Sequence, residues 1–205
     1  MTPKLYDSLE KYGGNLMAAV DLETTGVRAG YNEIIQIAIV PLDTDMKPLA
    51  DVRPFYTVVK PNHPERTSQS ATAKHGLSIG DLFTTAPDSE KIVDVLCEWF
   101  EGLRLPMNRS IIPLAHNWAF ESSFLQAWLG VELKDKIFHA HARDSMITAI
   151  AINDKAVFAG DPAPFGRVSL ATLCRYFKIV NLNPHDALSD CLAEAELYRE
   201  LLRML

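Results

Sequence analysis

Apolar residues in the first third of the chain come in short runs that are separated by polar turn residues. The first run covers 16–20, and the second covers 34–40 and ends at Pro41. A third segment, 52–60, is rich in aromatic and β-branched residues. Short runs of this composition between turn signals are typical of strands. We therefore predict three consecutive strands in an antiparallel meander, since the turns between them are short.

After residue 70 the apolar positions repeat at intervals of three and four residues, which is the period of an amphipathic helix. We predict helices over 71–76, 88–101, 120–129, 144–152, 169–177 and 186–205. Strand-like runs at 111–115 and, more weakly, at 137–142 interrupt them. Because the strand at 111–115 follows a helical crossover, it is expected to run parallel to the first strand. The pattern as a whole predicts an α/β fold with a single mixed five-stranded sheet flanked by helices.

The 205 residues suit a single domain over 1–205, with a core from about residue 16 onward and a short N-terminal extension, 1–15. Hydrophobic residues make up 48% and charged residues 22%, which are ordinary values for a soluble protein. The net charge of −6 argues against a protein that coats nucleic acid through a broad basic face. It leaves open an enzyme that holds one strand end through metal ions.

The cysteines, Cys97, Cys174 and Cys191, are scattered and odd in number, so the sequence indicates neither a zinc knuckle nor a disulfide framework. Each lies in an apolar helical pattern, which favours free thiols in a reducing compartment. The N-terminus has no signal-peptide core, and no apolar run approaches the length of a membrane span. These features predict a cytoplasmic protein without a membrane partner.

The most basic local stretch of the chain runs from residue 60 to residue 75. Its members are Lys60, His63, Arg66, Lys74 and His75. A solvated surface accounts for such a stretch, and contact with phosphate groups is the alternative.

Asp21 and Glu23 follow the first predicted strand directly. Residues two apart on a strand point to the same face, about 6 to 7 Å apart, so these carboxylates are neighbours. Two ionised acids repel each other by up to about 4 kcal/mol at 4 Å and an effective dielectric constant of 20. A divalent cation would remove that penalty, and a solvated turn at a strand end is the alternative explanation.

Further acids come at the ends of later elements. His116 and Asn117 end the fourth predicted strand, and Glu121 lies in the first turn of the next helix. If the first and fourth strands are neighbours, Glu121 lies near Asp21. Asp190 lies in the first turns of the last helix, where the helix dipole favours an acid.

His185 stands just before the last helix, for which Asp186 is a good N-cap residue. Taken alone, a histidine and an acid at a helix start are commonplace and equally fit a structural role.

Three motifs together resemble the DEDDh branch of the DEDD 3′→5′ exonucleases, the group that includes ribonuclease T and the proofreading subunits of bacterial replicative polymerases. They are Asp21-Leu22-Glu23-Thr24-Thr25-Gly26, then His116-Asn117 followed by Phe120, Phe124 and Leu125, and finally His185 with Asp190 five residues later. The match spans about residues 17–202. It departs from the family at Glu121, where the family has aspartate.

The resemblance implies a ribonuclease H-like fold and hydrolysis of single-stranded DNA or RNA from a free 3′ end, with release of nucleoside 5′-monophosphates. It implies that two divalent ions, Mg²⁺ or Mn²⁺, are held by Asp21, Glu23, Glu121 and Asp190. His185 is implied as the general base. The implied contacts to the terminal nucleotides are Leu22, Thr24, Asn117 and Phe124, although the helix stripe that contains Phe124 equally fits a core position.

Two other interpretations remain open at this stage. The chain is either a binding module that has kept a nuclease fold without catalysis, with Glu121 as the sign of that loss, or a metal-dependent phosphoesterase for small phosphates. The resemblance to ribonuclease T allows a homodimer. The sequence ends within its last predicted helix, so no polymerase-tethering tail is evident.

Overall fold

Five strands form one mixed sheet in the computed structural model, which describes residues 3–205. They are β1 (Leu16–Thr24), β2 (Ile34–Pro41), β3 (Phe55–Val58), β4 (Ile111–Ala115) and β5 (Arg143–Asp144), in the order β3-β2-β1-β4-β5. β1, β2 and β3 pair antiparallel, whereas β4 lies parallel to both β1 and β5. The predicted meander, the parallel fourth strand and the mixed five-stranded sheet are therefore confirmed.

Nine α-helices surround the sheet within residues 3–205. They are α1 (Pro3–Lys11), α2 (Gln69–His75), α3 (Ile79–Thr85), α4 (Ser89–Gly102), α5 (Trp118–Leu129), α6 (Val131–Ile137), α7 (Ser145–Phe158), α8 (Leu170–Phe177) and α9 (Ala187–Leu202), with a 3₁₀ turn at Pro64–Arg66. All six predicted helices are present with shifted ends, and α1, α3 and α6 were not predicted. None of the nine has the length and apolar character needed to cross a bilayer.

The predicted fifth strand over 137–142 is wrong. Ile137 is the last residue of α6, and Phe138 makes only an isolated bridge to Ile111. Both side chains are buried in the core, so their apolar character reflects the docking of α6 and not a strand. The fifth strand is the two-residue segment Arg143–Asp144 that follows.

The two faces of β1 pack against different helices, and this decides where its carboxylates point. Leu16, Ala18, Val20 and Leu22 belong to one core cluster with residues of α4 and α5. Met17 and Ala19 belong to the other, with α9 residues at four-residue intervals, Ala187, Cys191 and Ala195. Because side chains alternate along a strand, Asp21 and Glu23 continue the face that carries α9.

The start of α9 is tied to the sheet by the buried side chain of Gln36 on β2. Its Oε1 accepts a hydrogen bond from the backbone N–H of Ala187 at 2.9 Å. Its Nε2 donates to the hydroxyl of Tyr56 at 3.1 Å and to Asp186 Oδ2 at 3.2 Å. Tyr56 in turn donates to Asp186 Oδ2 at 2.6 Å. These bonds fix the helix start relative to β1.

We expect Gln36→Met to lower the free energy of unfolding by about 2 to 4 kcal/mol, because it leaves the buried Ala187 N–H without an acceptor and removes two further bonds. The measurement is urea unfolding followed by circular dichroism. Gln126→Met on the exposed side of α5 is the matched control, for which we expect a change within about 0.5 kcal/mol. Equal stability of the two variants would contradict the anchoring role of Gln36.

Candidate active site

Asp21 and Glu23 lie at the end of β1, on one face and partly buried, with Leu22 buried between them on the other face. Burial raises the pKa of Asp21 well above its usual value, and the carboxylates of Glu121, Asp190 and Glu23 raise it further. Burial also raises the pKa of Glu23 to about 8, with added repulsion from Asp190 and Asp186. The end of β1 is therefore a place where negative charge is poorly accommodated without a positive partner.

The beginning of α9 brings His185 and Asp190 to the same place. Asp186 caps the helix by accepting a hydrogen bond from Ser189 N, as predicted. His185, immediately before it, has a left-handed backbone with φ of 67° and an exposed side chain. Its backbone N–H donates to Asp190 Oδ2 at 3.2 Å.

Asp190 itself is only 8% exposed. Its Oδ1 accepts a short hydrogen bond from the side chain of Asn181. One candidate ligand atom from each of Glu23, His185 and Asp190 lies within 4.8 Å of the others.

Glu121 approaches the same cluster from the first turn of α5. It is 4% exposed, and its Oε2 has no hydrogen-bond partner among the described residues. Burial raises its pKa well above the usual value, and the Asp144 carboxylate contributes to that rise. Since a buried polar atom is rarely left without a partner, this oxygen is suited to a ligand.

The donor set fits a hard divalent cation. It consists of carboxylate oxygens on three elements with one imidazole beside them, and Mg²⁺ and Mn²⁺ prefer such oxygen ligands. The raised pKa values of Asp21 and Glu121 mean that a cation or protons must balance the acids.

A fifth carboxylate near this cluster, Glu194, was not predicted. It lies on α9 one turn beyond Asp190 and is 1% exposed. Its Oε1 accepts a hydrogen bond from the Ser145 hydroxyl at 3.0 Å, and Ser145 Oγ lies 2.8 Å from His116 Nδ1. Burial raises the pKa of Glu194 well above its usual value, and Glu121 is the neighbouring charge that adds most. The four-residue spacing from Asp190 on one helix was the sequence signal for it.

A cleft of about 310 Å³ opens over the carboxylates. Its walls come from the end of β1, from α2, from the first turn of α5 and from residues before α9, among them Thr24, Lys74, His75, Phe120 and His185. Leu22 and Thr24, two of the predicted substrate contacts, thus lie in the cleft wall.

The other two predicted contacts lie elsewhere. Phe124 is 2% exposed and packs in the core, where its ring meets Phe120 at 4.8 Å, so Phe120 is the member of this helix stripe that reaches the cleft. Phe124 also lines a neighbouring cavity of about 360 Å³ outside the cleft. Its contact with substrate stays a prediction. Asn117 is the left-handed residue before α5, and its backbone N–H donates to Asp144 Oδ1 at 3.2 Å.

The fold resembles those of solved exonucleases. Exonuclease I from Methylocaldum szegediense gives a TM-score of 0.71 at 17% identity, over 92% of this chain and 40% of that chain. E. coli exonuclease I in complex with a dT13 oligonucleotide gives 0.67 at 15%, over 91% and 41%. A 3′-exonuclease with histone mRNA stem-loop recognition gives 0.65 at 14%, over 92% and 64%. The chain thus spans 40 to 64% of these solved chains.

At 14 to 17% identity, the solved structures show only that the fold is shared. The family is identified by comparing the sequence with family patterns. Comparison with curated proteins gives no match. The sequence pattern of the family described as exonuclease, of the ribonuclease T type, matches residues 18–198, which includes most of β1 and most of α9. The predicted resemblance is confirmed: the chain belongs to the ribonuclease T exonuclease family and has its ribonuclease H-like fold.

Proposed function

We propose that the chain is a metal-dependent 3′→5′ exonuclease that releases nucleoside 5′-monophosphates from single-stranded nucleic acid. The observation that carries this proposal is the group formed by Glu23, Asp190 and His185, whose candidate ligand atoms lie within 4.8 Å of one another at a cleft that Asp21 also lines. Buried Glu121 is the neighbouring charge that acts most strongly on Asp21. Family membership supports a nuclease. The similar structures that hold an oligonucleotide or recognise a 3′ end support the polarity.

In this mechanism each residue of the site has a separate task. Asp21, Glu23, Glu121 and Asp190 would hold the divalent ions. When bound, such ions supply positive charge that stabilises the negative charge developing on the phosphoryl group. A ring nitrogen of His185 would accept the proton of the attacking water, which forms the new phosphorus–oxygen bond as the bond to the departing 3′ oxygen breaks. Leu22 and Thr24 in the cleft wall would contact the terminal nucleotide.

His185→Ala is expected to lower kcat by about 10²- to 10⁴-fold, the usual contribution of a general base, with little change in Tm because the side chain is exposed. The measurement is stepwise shortening of 5′-labelled single-stranded DNA and RNA in Mg²⁺, Mn²⁺ and EDTA. His139→Ala, a second histidine outside the cleft wall, is the control that should retain activity. Release of internal fragments, or activity that persists in EDTA, would contradict a metal-dependent exonuclease, and no shortening under any metal would favour a binding module.

Glu121→Asp is expected to raise the Mg²⁺ concentration for half-maximal activity by about 10-fold or more. Shortening the side chain by one methylene moves its carboxylate away from the metal ion that it would hold. A displacement of about 1 Å costs on the order of 100-fold in rate. Titration of Mn²⁺ binding by calorimetry gives a readout that does not need turnover. Glu132→Asp on the exposed face of α6 is the control. An increase in activity would instead show that the glutamate is a handicap.

Stability without metal is expected to fall as pH rises from about 4.5 to about 8, and divalent cations should restore it. The folded chain retains protons on Asp21, Glu121 and Glu23, whose pKa is raised to about 8, whereas the unfolded chain loses them near pH 4 to 4.5. The folded state therefore loses stability across that interval. The measurement is Tm at pH 5 and pH 8, with EDTA and with Mn²⁺. Glu23→Gln should reduce the pH dependence, and a Mn²⁺ effect that does not grow with pH would contradict this account.

A further inference from the structure

The ring of Tyr31, in the loop between β1 and β2, lies under two guanidinium groups. Those of Arg28 and Arg66 are each 5.0 Å from the ring centroid. Tyr31 is 46% exposed, so the group is open to solvent. In these three residues, the arginine clamp, one aromatic ring interacts with two positive charges.

One buried side chain, Asn32, holds the clamp in place. Its Oδ1 accepts a hydrogen bond from Arg28 N at 3.0 Å, and its Nδ2 donates to Arg66 O at 2.9 Å. A Cβ on Gly26 would approach Asn32 to 2.6 Å, so glycine is required beside it. The backbone positions of both arginines are thus fixed before any ligand binds.

Negative charge does not neutralise the clamp. Arg28 forms no ion pair within residues 3–205, and Arg66 meets only the exposed Glu65 at 3.8 Å. The nearby carboxylate of Glu33 accepts hydrogen bonds from the backbone N–H groups of residues 62 and 63 at 3.0 and 2.8 Å. Nη1 of Arg66 also donates a long hydrogen bond to the backbone O of Tyr31 at 3.5 Å. The Arg28 guanidinium group therefore has no acidic partner among residues 3–205, and that of Arg66 has only one distant, exposed acid, so both can still engage an external anion.

The loop that carries the clamp also forms a wall of the candidate active site. Gly26 and Val27 line the cleft, whereas Tyr31, Asn32 and Arg66 line a separate cavity of about 360 Å³. Tyr31 of the clamp thus lies on the same loop as the cleft wall, only a few residues further along the chain.

We infer that the arginine clamp binds a backbone phosphate of single-stranded nucleic acid whose 3′ end occupies the cleft, an inference that rests on the proposed function. Guanidinium groups donate paired hydrogen bonds to phosphate oxygens. Stacking on Tyr31 restricts both side chains, so little freedom is lost when they engage. The clamp would increase the affinity for the strand equally for every base sequence, because it contacts only the backbone.

The test is fluorescence anisotropy with labelled oligothymidylate of about 12 nucleotides, within the range of a single-strand site, in Ca²⁺ and again in EDTA over a salt series. Arg28→Ala with Arg66→Ala should raise Kd about 10-fold or more at low salt. It should also reduce the slope of log Kd against log salt by about 0.7, the value for one phosphate. Replacing both arginines by lysine should preserve the slope but not the full affinity, because the charge stays and the paired geometry is lost.

The matched control removes two arginines from the segment before β4, Arg104→Ala with Arg109→Ala, at the opposite end of the parallel strands from the carboxylates. An equal loss of affinity in the two double variants would assign the effect to net charge and overturn the clamp. Unchanged affinity of the clamp variant, or no binding by the unaltered chain, would overturn it as well. Thermal unfolding checks that both variants remain folded.

Turnover separates this inference from the proposed function. The clamp variant should hydrolyse the p-nitrophenyl ester of thymidine 5′-monophosphate, which is small enough for the cleft alone, as fast as the unaltered chain. Its KM for the oligonucleotide should rise about 10-fold with little change in kcat. If neither substrate is hydrolysed, the proposed exonuclease activity fails while the binding result still decides the clamp.

Discussion

Mutual repulsion among buried carboxylates is the constraint around which this structure is organised. Asp21 is repelled by Glu121 and by Asp190, which approach it from different helices. In isolation each such pair costs about 4 kcal/mol at 4 Å and an effective dielectric constant of 20. No single element could hold so much like charge at one point, so the site depends on tertiary packing. A cation that replaces the protons would relieve this repulsion and so bind more tightly, because the same packing prevents the acids from moving apart.

The packing that opposes the repulsion uses a few polar side chains that join helix starts. Asp144 caps α7 through Met146 N and also accepts hydrogen bonds from Asn117 N and Trp118 N at the start of α5. One carboxylate therefore sets the start of the helix that carries Glu121. Gln36 has the equivalent effect at α9, through Ala187 N. Both connections act on the first turn, where a small shift of the helix moves its acid directly.

Local patterns in the sequence were sufficient for much of this site. Strand alternation placed Asp21 and Glu23 on one face, and cap chemistry placed Asp186 at the start of α9, because both are decided by neighbouring residues. No sequence signal pointed to α6, because Gly130 marks the end of α5, and its left-handed backbone, with φ of 76°, leads directly into a second helix.

Long-range contacts account for what the sequence did not reveal. Glu194 lies within an ordinary helical pattern, and its importance comes from Ser145 across the fold. Asn32 likewise joins two loops through hydrogen bonds to the backbone of Arg28 and Arg66. These residues are 38 positions apart in the sequence and meet only in the folded chain. For Phe124, the core and substrate interpretations share one helix stripe, so only its burial separates them.

The placement of positive charge explains how an acidic chain could bind the polyanionic substrate that we propose for it. A net charge of −6 disfavours binding at long range, but screening limits that effect to about 10 Å at 0.1 M salt. At shorter range, the positions of single cations decide the local potential. Lys74 lines the cleft and lowers the pKa of Glu23. Arg28 and Arg66 contact Tyr31 in the loop that forms one wall of the cleft. Cations outside the carboxylate cluster can attract phosphate without competing for the acids. The separation of the two charge types by Gly26 and Asn32 would therefore let the proposed metal ions and the proposed nucleic-acid strand bind at adjacent points.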